Sequence, residues 1–121
     1  MALATRIDTI FVPALDTDSA AKWYARMFSM TEIFRSGGYI GLRFDEGEAK
    51  ATALTLIPVD TISNPYVAFN LFSPDPEALR NALIADGREV TEIHQQPSMR
   101  WFDFVDISGV RVNVCSFGEA N

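Results

Sequence analysis

The chain has 121 residues, of which 48% are hydrophobic and 21% are charged, a balance typical of a globular domain. Ten basic against sixteen acidic residues give a formal net charge of −6, which argues against nucleic acid, because Lys and Arg contacts to phosphate dominate nucleic-acid affinity. No apolar run approaches the roughly 20 residues that span a bilayer, and no signal peptide or disulfide framework is evident. We therefore expect a cytoplasmic protein that binds a small molecule or another protein rather than a membrane.

The first half of the chain predicts a strand, a helix and three further strands. Residues 6–16, RIDTIFVPALD, alternate as a strand covered on both faces, with Thr9 and Phe11 on the same face. Residues 15–30 predict a helix, because Asp16 can accept hydrogen bonds from the first turn and apolar residues recur at three-and-four spacing. The next predicted segments are strands at 31–36, 39–44 and 51–59, a loop at 45–50 and a linker at 60–65.

The second half repeats this order of elements. A strand at 66–72 precedes a helix at 73–87, in which Asp75 is the predicted N-cap and Gly87 ends the last turn. The last three strands are predicted at 88–94, 100–106 and 110–117. The two helix caps lie about 59 residues apart, near half the chain length, so the sequence predicts an internal repeat.

Three stretches of the sequence carry a family likeness. IDTIFVPALDTDSAAKWYARMFSM contains the acidic cap Asp16, the aromatic pair Trp23 and Tyr24, and an aromatic ending. Two further stretches correspond to the opening and the close of a second module: VAFNLFSPDPEALRNALIADGREV and RWFDFVDISGVRVNVCSF. Together they resemble the vicinal oxygen chelate superfamily, which includes glyoxalases, extradiol dioxygenases and bleomycin-resistance proteins. The chain departs from that pattern at Ser29 and Ile107, where the family has Gly and Pro.

The resemblance implies an α+β fold built from two paired βαβββ modules, approximately residues 5–59 and 65–118, within one domain that spans residues 1–121. In the family, the curved sheets of the two modules form a cleft. Members of this length commonly pair, so the resemblance also implies a homodimer.

Metal-dependent members of the family place their ligands on the first and last strands of each module. Carried over to this chain, these positions fall on Thr9, Thr55, Tyr66 and Asn113. Divalent iron, nickel and zinc prefer imidazole, carboxylate or thiolate ligands, and neutral hydroxyl, phenol and amide groups are weak donors. We therefore expect no metal at this position and no cofactor, and interpret the four residues, with Phe11, as candidates for ligand contact.

Three further residues, Arg111, Trp101 and Phe104, are candidates for the cleft. Arg111 and Asn113 share one face of the last strand and are predicted anchors for an anionic or amide-bearing ligand, although simple exposure is an equal alternative for Arg111. Trp101 and Phe104 are candidates for a stacking wall, but strand aromatics usually lie in the core. Cys115 is expected to be a small buried hydrophobe.

The sequence predicts a metal-free small-molecule-binding protein of the bleomycin-resistance kind. The alternative is a metal-dependent lyase, isomerase or dioxygenase with a shifted ligand set, using His94 with one or two of Glu32, Glu92 and Asp103. His94 is the candidate catalytic residue because imidazole titrates near neutrality, although a histidine at a strand end is more often solvated. A third possibility is a structural or regulatory subunit with a filled cleft.

Overall fold

The computed structural model describes residues 2–45, 51–63 and 66–118. The elements, in chain order, are β1 (Thr9–Ala14), α1 (Thr17–Phe28), β2 (Met30–Ser36), β3 (Tyr39–Phe44), β4 (Ala53–Pro58), β5 (Phe69–Phe72), α2 (Pro76–Ala85), β6 (His94–Gln95), β7 (Met99–Val105) and β8 (Arg111–Phe117). The predicted α+β class and the repeated βαβββ order are confirmed. The loop predicted at 45–50 lies outside the described residues after Asp45, and the predicted linker is described as far as Ser63.

The chain divides into two compact units, Met1–Ile62 and Ser63–Asn121. Each unit contains one four-stranded sheet, in the equivalent orders β1-β4-β3-β2 and β5-β8-β7-β6. In both sheets the first strand of the unit pairs in parallel with the last strand, and the other pairs are antiparallel. That the two units form a single domain stays a prediction. Within the described ranges, neither helix has the length and apolar character needed to cross a bilayer.

In the first unit, helix α1 covers one face of the sheet. Asp16 caps the helix by accepting a hydrogen bond from the Ser19 amide at 3.1 Å. Trp23 and Tyr24 are fully buried and pack edge to face, with ring centroids 4.9 Å apart. Ser29 ends the helix in the left-handed region, with φ of 55°, a conformation that glycine adopts at lower cost. This is a physical reason for the Gly that the family has at the same place.

In the second unit, helix α2 packs against β7 and β8. Asp75 accepts a hydrogen bond from the Ala78 amide at 3.1 Å, and Pro76 occupies the first turn, as predicted. The strand side chains that are fully buried alternate with residues of the opposite face, because successive side chains point to opposite sides of a strand. They are Phe102, Phe104, Val112 and Val114.

Two predicted strands of the second unit are shorter in the structure. The strand predicted at 66–72 begins at Phe69, and that predicted at 88–94 is reduced to an isolated bridge at Val90 and the two-residue strand β6. In the 88–94 segment the irregularity centres on Thr91, which binds β7 through its side chain as well as its backbone amide. Its hydroxyl accepts the Asp103 amide at 2.9 Å, while Arg80 Nε donates to its carbonyl at 2.7 Å. One regular ladder bond is thereby replaced by two side-chain bonds.

Arg35 links strand β2 to helix α1 through an exposed ion-pair cluster. Its guanidinium donates to both oxygens of Glu32, at 3.0 and 2.9 Å, and lies 3.1 Å from Asp18. The hydrogen bond from Arg35 lowers the pKa of Glu32, and hydrogen bonds from Lys22 first and then Arg35 lower the pKa of Asp18. A carboxyl whose pKa is depressed in the folded state stabilises the fold above its ordinary pKa and loses that contribution as the pH falls through the lowered value.

We expect Arg35→Gln to make the free energy of unfolding less dependent on pH at acidic pH. The wild-type free energy of unfolding should fall more steeply than that of the variant as the pH drops below 4.5 and 3.8, the ordinary pKa values of the two carboxyls. Urea unfolding at a series of pH values measures this difference. Because the cluster is exposed, about 1 M NaCl should shrink it. Parallel pH profiles for the two proteins would contradict the prediction.

Candidate functional site

One row of residues crosses the face of the first sheet that helix α1 does not cover. Phe11 of β1 pairs with Thr55 of β4, Thr55 pairs with Gly41 of β3, and Gly41 pairs with Phe34 of β2. Thr55 is buried, whereas Phe11 is 61% exposed and Phe34 is 44% exposed. Two exposed aromatic side chains therefore belong to the same row, with small residues between them.

Thr9 and Thr55, two of the predicted site residues, are in direct contact. Their hydroxyl oxygens lie 2.7 Å apart, and the Thr9 hydroxyl also donates to the Ile10 carbonyl at 3.3 Å. Thr55 is buried and Thr9 is half-buried. The register of strand β4 therefore joins them with Phe11 on one face. Each hydroxyl therefore forms a hydrogen bond with a neutral group of the protein. The pair is a small polar patch within a mainly apolar surface.

Phe34 and Gly41 are members of this surface that the sequence reasoning missed. A Cβ atom at Gly41 would overlap the ring of Phe34, so the ring lies directly over the glycine. A glycine in the middle of a strand often marks such a close approach, and this was the available signal. The pairing itself depends on an irregularity in β2 between Glu32 and Phe34, which shifts the register of the strand.

In the second unit, a polar row occupies the corresponding face. Asn70, Asn113 and Asp103 are neighbours across β5, β8 and β7. Asn70 Nδ2 donates to Asn113 Oδ1 at 2.6 Å, and Asn113 Nδ2 donates to Asp103 Oδ1 at 2.9 Å. Arg111 Nε donates to the other carboxylate oxygen of Asp103 at 3.1 Å. Predicted residues Arg111 and Asn113 thus meet at a buried carboxylate, and Asn70 joins them although the sequence reasoning did not select it.

Tyr66 does not occupy the position that was predicted for it. Thr9 stands seven residues before the helix cap Asp16, and the residue seven before the cap Asp75 is Ala68. Tyr66 precedes strand β5 and is 77% exposed. The prediction placed the strand start directly after Pro65, whereas the helix cap gives the better reference point for the repeat.

Trp101 and Phe104 do not form one wall, because they lie on opposite faces of β7. Trp101 shares the face of Asp103 and stacks on His94, with ring centroids 4.3 Å apart and an interplanar angle of 24°. Phe104 is 1% exposed and lies among the core side chains of the other face. The core interpretation is therefore correct for Phe104, and only Trp101 can contribute to a surface with Asn113.

The donor groups at the family's ligand positions do not fit a divalent metal. They are the hydroxyls of Thr9 and Thr55 and the amide of Asn113, and all three form hydrogen bonds to other side chains. Within residues 2–45, 51–63 and 66–118, no three His, Cys, Asp or Glu side chains come together. Glu32 and Asp103, which belong to the shifted set considered above, are instead engaged by arginines.

No family model and no curated protein sequence matches the chain. Solved structures do match over nearly its whole length. The chain is similar to TnmS3, an antibiotic binding protein from Streptomyces sp. CB03234, with a TM-score of 0.78, 16% identity, and coverage of 98% of this chain and 100% of that chain.

Two further solved structures give the same result. One is a member of the glyoxalase/bleomycin resistance protein/dioxygenase superfamily from Sphaerobacter thermophilus DSM 20745, with a TM-score of 0.79, 13% identity, and coverage of 95% and 99%. The other is lactoylglutathione lyase from Agrobacterium tumefaciens, with a TM-score of 0.70, 16% identity, and coverage of 95% and 96%. The chain therefore has the glyoxalase/bleomycin-resistance fold, and the resemblance found in its sequence is confirmed at the level of the fold.

We expect the Thr9 and Thr55 hydroxyls to stabilise the first unit jointly. Thr55→Val keeps the side-chain shape but removes one hydroxyl, and should lower the free energy of unfolding by about 1 kcal/mol in urea titrations. The double variant Thr9→Val/Thr55→Val should lose less unfolding free energy than the sum of the losses in the two single variants, because it leaves no hydroxyl without its partner. Thr61→Val, at an exposed threonine, is the matched control. Strictly additive costs would contradict this coupling.

Proposed function

We propose that the protein binds a small molecule and does so without a divalent metal at the position used by metal-dependent relatives of its fold. The observation that carries the proposal is the chemistry of the two rows. Thr9 with Thr55, and Asn113 with Asp103, form hydrogen bonds within the protein instead of presenting a set of metal-ligating groups. Exposed Phe11 and Phe34 border the first pair, so the surface combines aromatic area with a few polar groups, as small-molecule sites generally do.

Arg111 is the proposed anchor for an anionic or amide-bearing ligand. Asp103 accepts from its Nε, which holds the guanidinium in place, while the side chain remains about half exposed. The planar guanidinium carries further N–H donors, and a paired arrangement of them suits a carboxylate. Asn113, whose amide is oriented by Asp103, is the second anchor on the same face.

The comparison with TnmS3 supports a binding role, since that protein of the same fold is an antibiotic binding protein. The same fold also occurs in a lactoylglutathione lyase, and fold alone does not determine function. The metal-dependent enzyme is the less favoured alternative, because the described residues bring no three metal-ligating side chains together. His94, its candidate catalytic residue, is stacked on Trp101. The homodimer and the cytoplasmic location stay predictions, the first testable by light scattering.

A thermal-shift screen with planar aromatic carboxylates and amides tests the binding proposal. A true ligand at about 100 times its Kd should raise the free energy of unfolding by about 2.7 kcal/mol. Arg111→Gln should weaken binding of a carboxylate about tenfold, because a charge-assisted hydrogen bond is lost. Arg6→Gln removes an equal charge from an exposed arginine of the first unit and should leave binding unchanged. A panel without any stabilising compound, or equal effects of the two substitutions, would contradict the proposal.

Elemental analysis of the purified, untagged protein tests the second half of the proposal. We expect iron, nickel, zinc and manganese all well below one equivalent per chain, because hydroxyl and amide donors bind these ions weakly. A chelator should accordingly leave both ligand binding and the unfolding transition unchanged. One equivalent of any of these metals in the untreated protein would overturn the metal-free proposal even if the ligand screen succeeds.

A further inference from the structure

The second unit holds a surface cavity that belongs to neither row. Its volume is about 690 Å³, within the range of small-molecule sites. It lies at the end of the sheet where β5 and β8 finish and β7 begins. The residues that matter for its chemistry are Phe72, Ser98, Met99, Arg100, Ser116 and Phe117. We refer to it as the end cavity.

The end cavity is separated along the strands from the polar row. Met99 pairs with Phe117, whereas Asp103 pairs with Asn113 four residues further along β7. At about 3.3 Å per residue, the two places are about 13 Å apart along the strand. Neither Asp103 nor Asn113 lines the end cavity, so a ligand bound there would not contact the carboxylate of the polar row.

One wall of the end cavity is aromatic and exposed. The rings of Phe72 and Phe117 lie with centroids 5.0 Å apart at an angle of 59°, and both side chains are more than two-fifths exposed. Met99, also exposed, continues the apolar surface. Grouped apolar side chains in a concavity are a common feature of ligand sites, because water there is readily displaced by an apolar group.

The charge of the lining points to an anion. Arg100 is the one charged side chain among the described residues that line the end cavity, although the chain as a whole has a net charge of −6. Its Nη1 donates to the carboxylate of Glu77 on helix α2, and among the described residues its Nε and Nη2 groups have no acceptor. The side chains of Ser98 and Ser116 add hydroxyl donors to the same lining.

We propose that the end cavity is a second binding site, and that it takes a small aromatic anion. The aromatic part packs against Phe72 and Phe117 on one face of the sheet, and the anionic group extends around the strand end to accept hydrogen bonds from Arg100 on the opposite face. Glu77 competes with the ligand for the same guanidinium and so lowers its affinity. The proposal is independent of the function proposed for Arg111 and Asn113.

Two fluorescent probes test this site in the full chain. The aromatic sulfonate 1-anilinonaphthalene-8-sulfonate carries the required charge, and N-phenyl-1-naphthylamine is its uncharged counterpart. Arg100→Gln should weaken binding of the sulfonate about tenfold and leave that of the amine unchanged. Glu77→Gln should tighten binding of the sulfonate about threefold by releasing Arg100, whereas Glu92→Gln, an equal charge change at an exposed residue, should not.

The apolar wall is tested by Phe117→Ser, which should weaken binding of both probes about tenfold. Phe44→Ser removes a comparably exposed phenylalanine from the first unit and is its control. Arg6→Gln, which removes an equal charge from an exposed arginine of the first unit, should leave both affinities unchanged. Equal effects of Phe117→Ser and Phe44→Ser on probe affinity would overturn the proposal. So would a sulfonate affinity that is the same in the wild type, Arg100→Gln and Glu77→Gln. If Phe117→Ser does not fold, the two charge variants decide.

Discussion

In each unit a single helix covers one face of the sheet. The side chains on that face form the core, and those on the opposite face lie outside it. Because strand side chains alternate, the core must take every second residue, such as Val112 and Val114 on β8. The residues that alternate with them, Arg111 and Asn113, are then placed on the other face whatever their chemistry. The face that each helix covers therefore determines which strand residues form the core and which remain available for ligand contact.

The carboxylate of Asp103 orients the rest of the polar row. A carboxylate can only accept hydrogen bonds, so Asn113 must turn its NH₂ group toward it. The oxygen of Asn113 then faces Asn70, which donates to it, and the oxygen of Asn70 in turn accepts from Cys115 Sγ at 3.6 Å. The direction of every amide in the row thus follows from one buried acceptor. Burying that carboxylate would be costly without these donors, so the arrangement joins stability to the presentation of Arg111.

The repeat, the helix caps and most strands could be predicted because each depends on local sequence, such as the Asp75–Pro76 pair or the alternation in β8. The site was predicted less well because it depends on pairing between strands. Counting back from the helix caps identifies Ala68, not Tyr66, as the equivalent of Thr9. The alternation of side chains along β7 places Trp101 and Phe104 on opposite faces. Gly41 in the middle of β3 signals a close approach, but it does not identify Phe34 as the partner, because that pairing depends on the irregularity in β2.

The two rows show how far the halves of the repeat have diverged. Phe11, Thr55 and Gly41 stand at positions equivalent to Asn70, Asn113 and Asp103, so a neutral row with one buried hydroxyl corresponds to a row of amides and a carboxylate in the other half. The backbone arrangement has been kept while the side chains have specialised. The halves are consequently not interchangeable: a chain made from two copies of either half would contain one of these rows twice and lack the other.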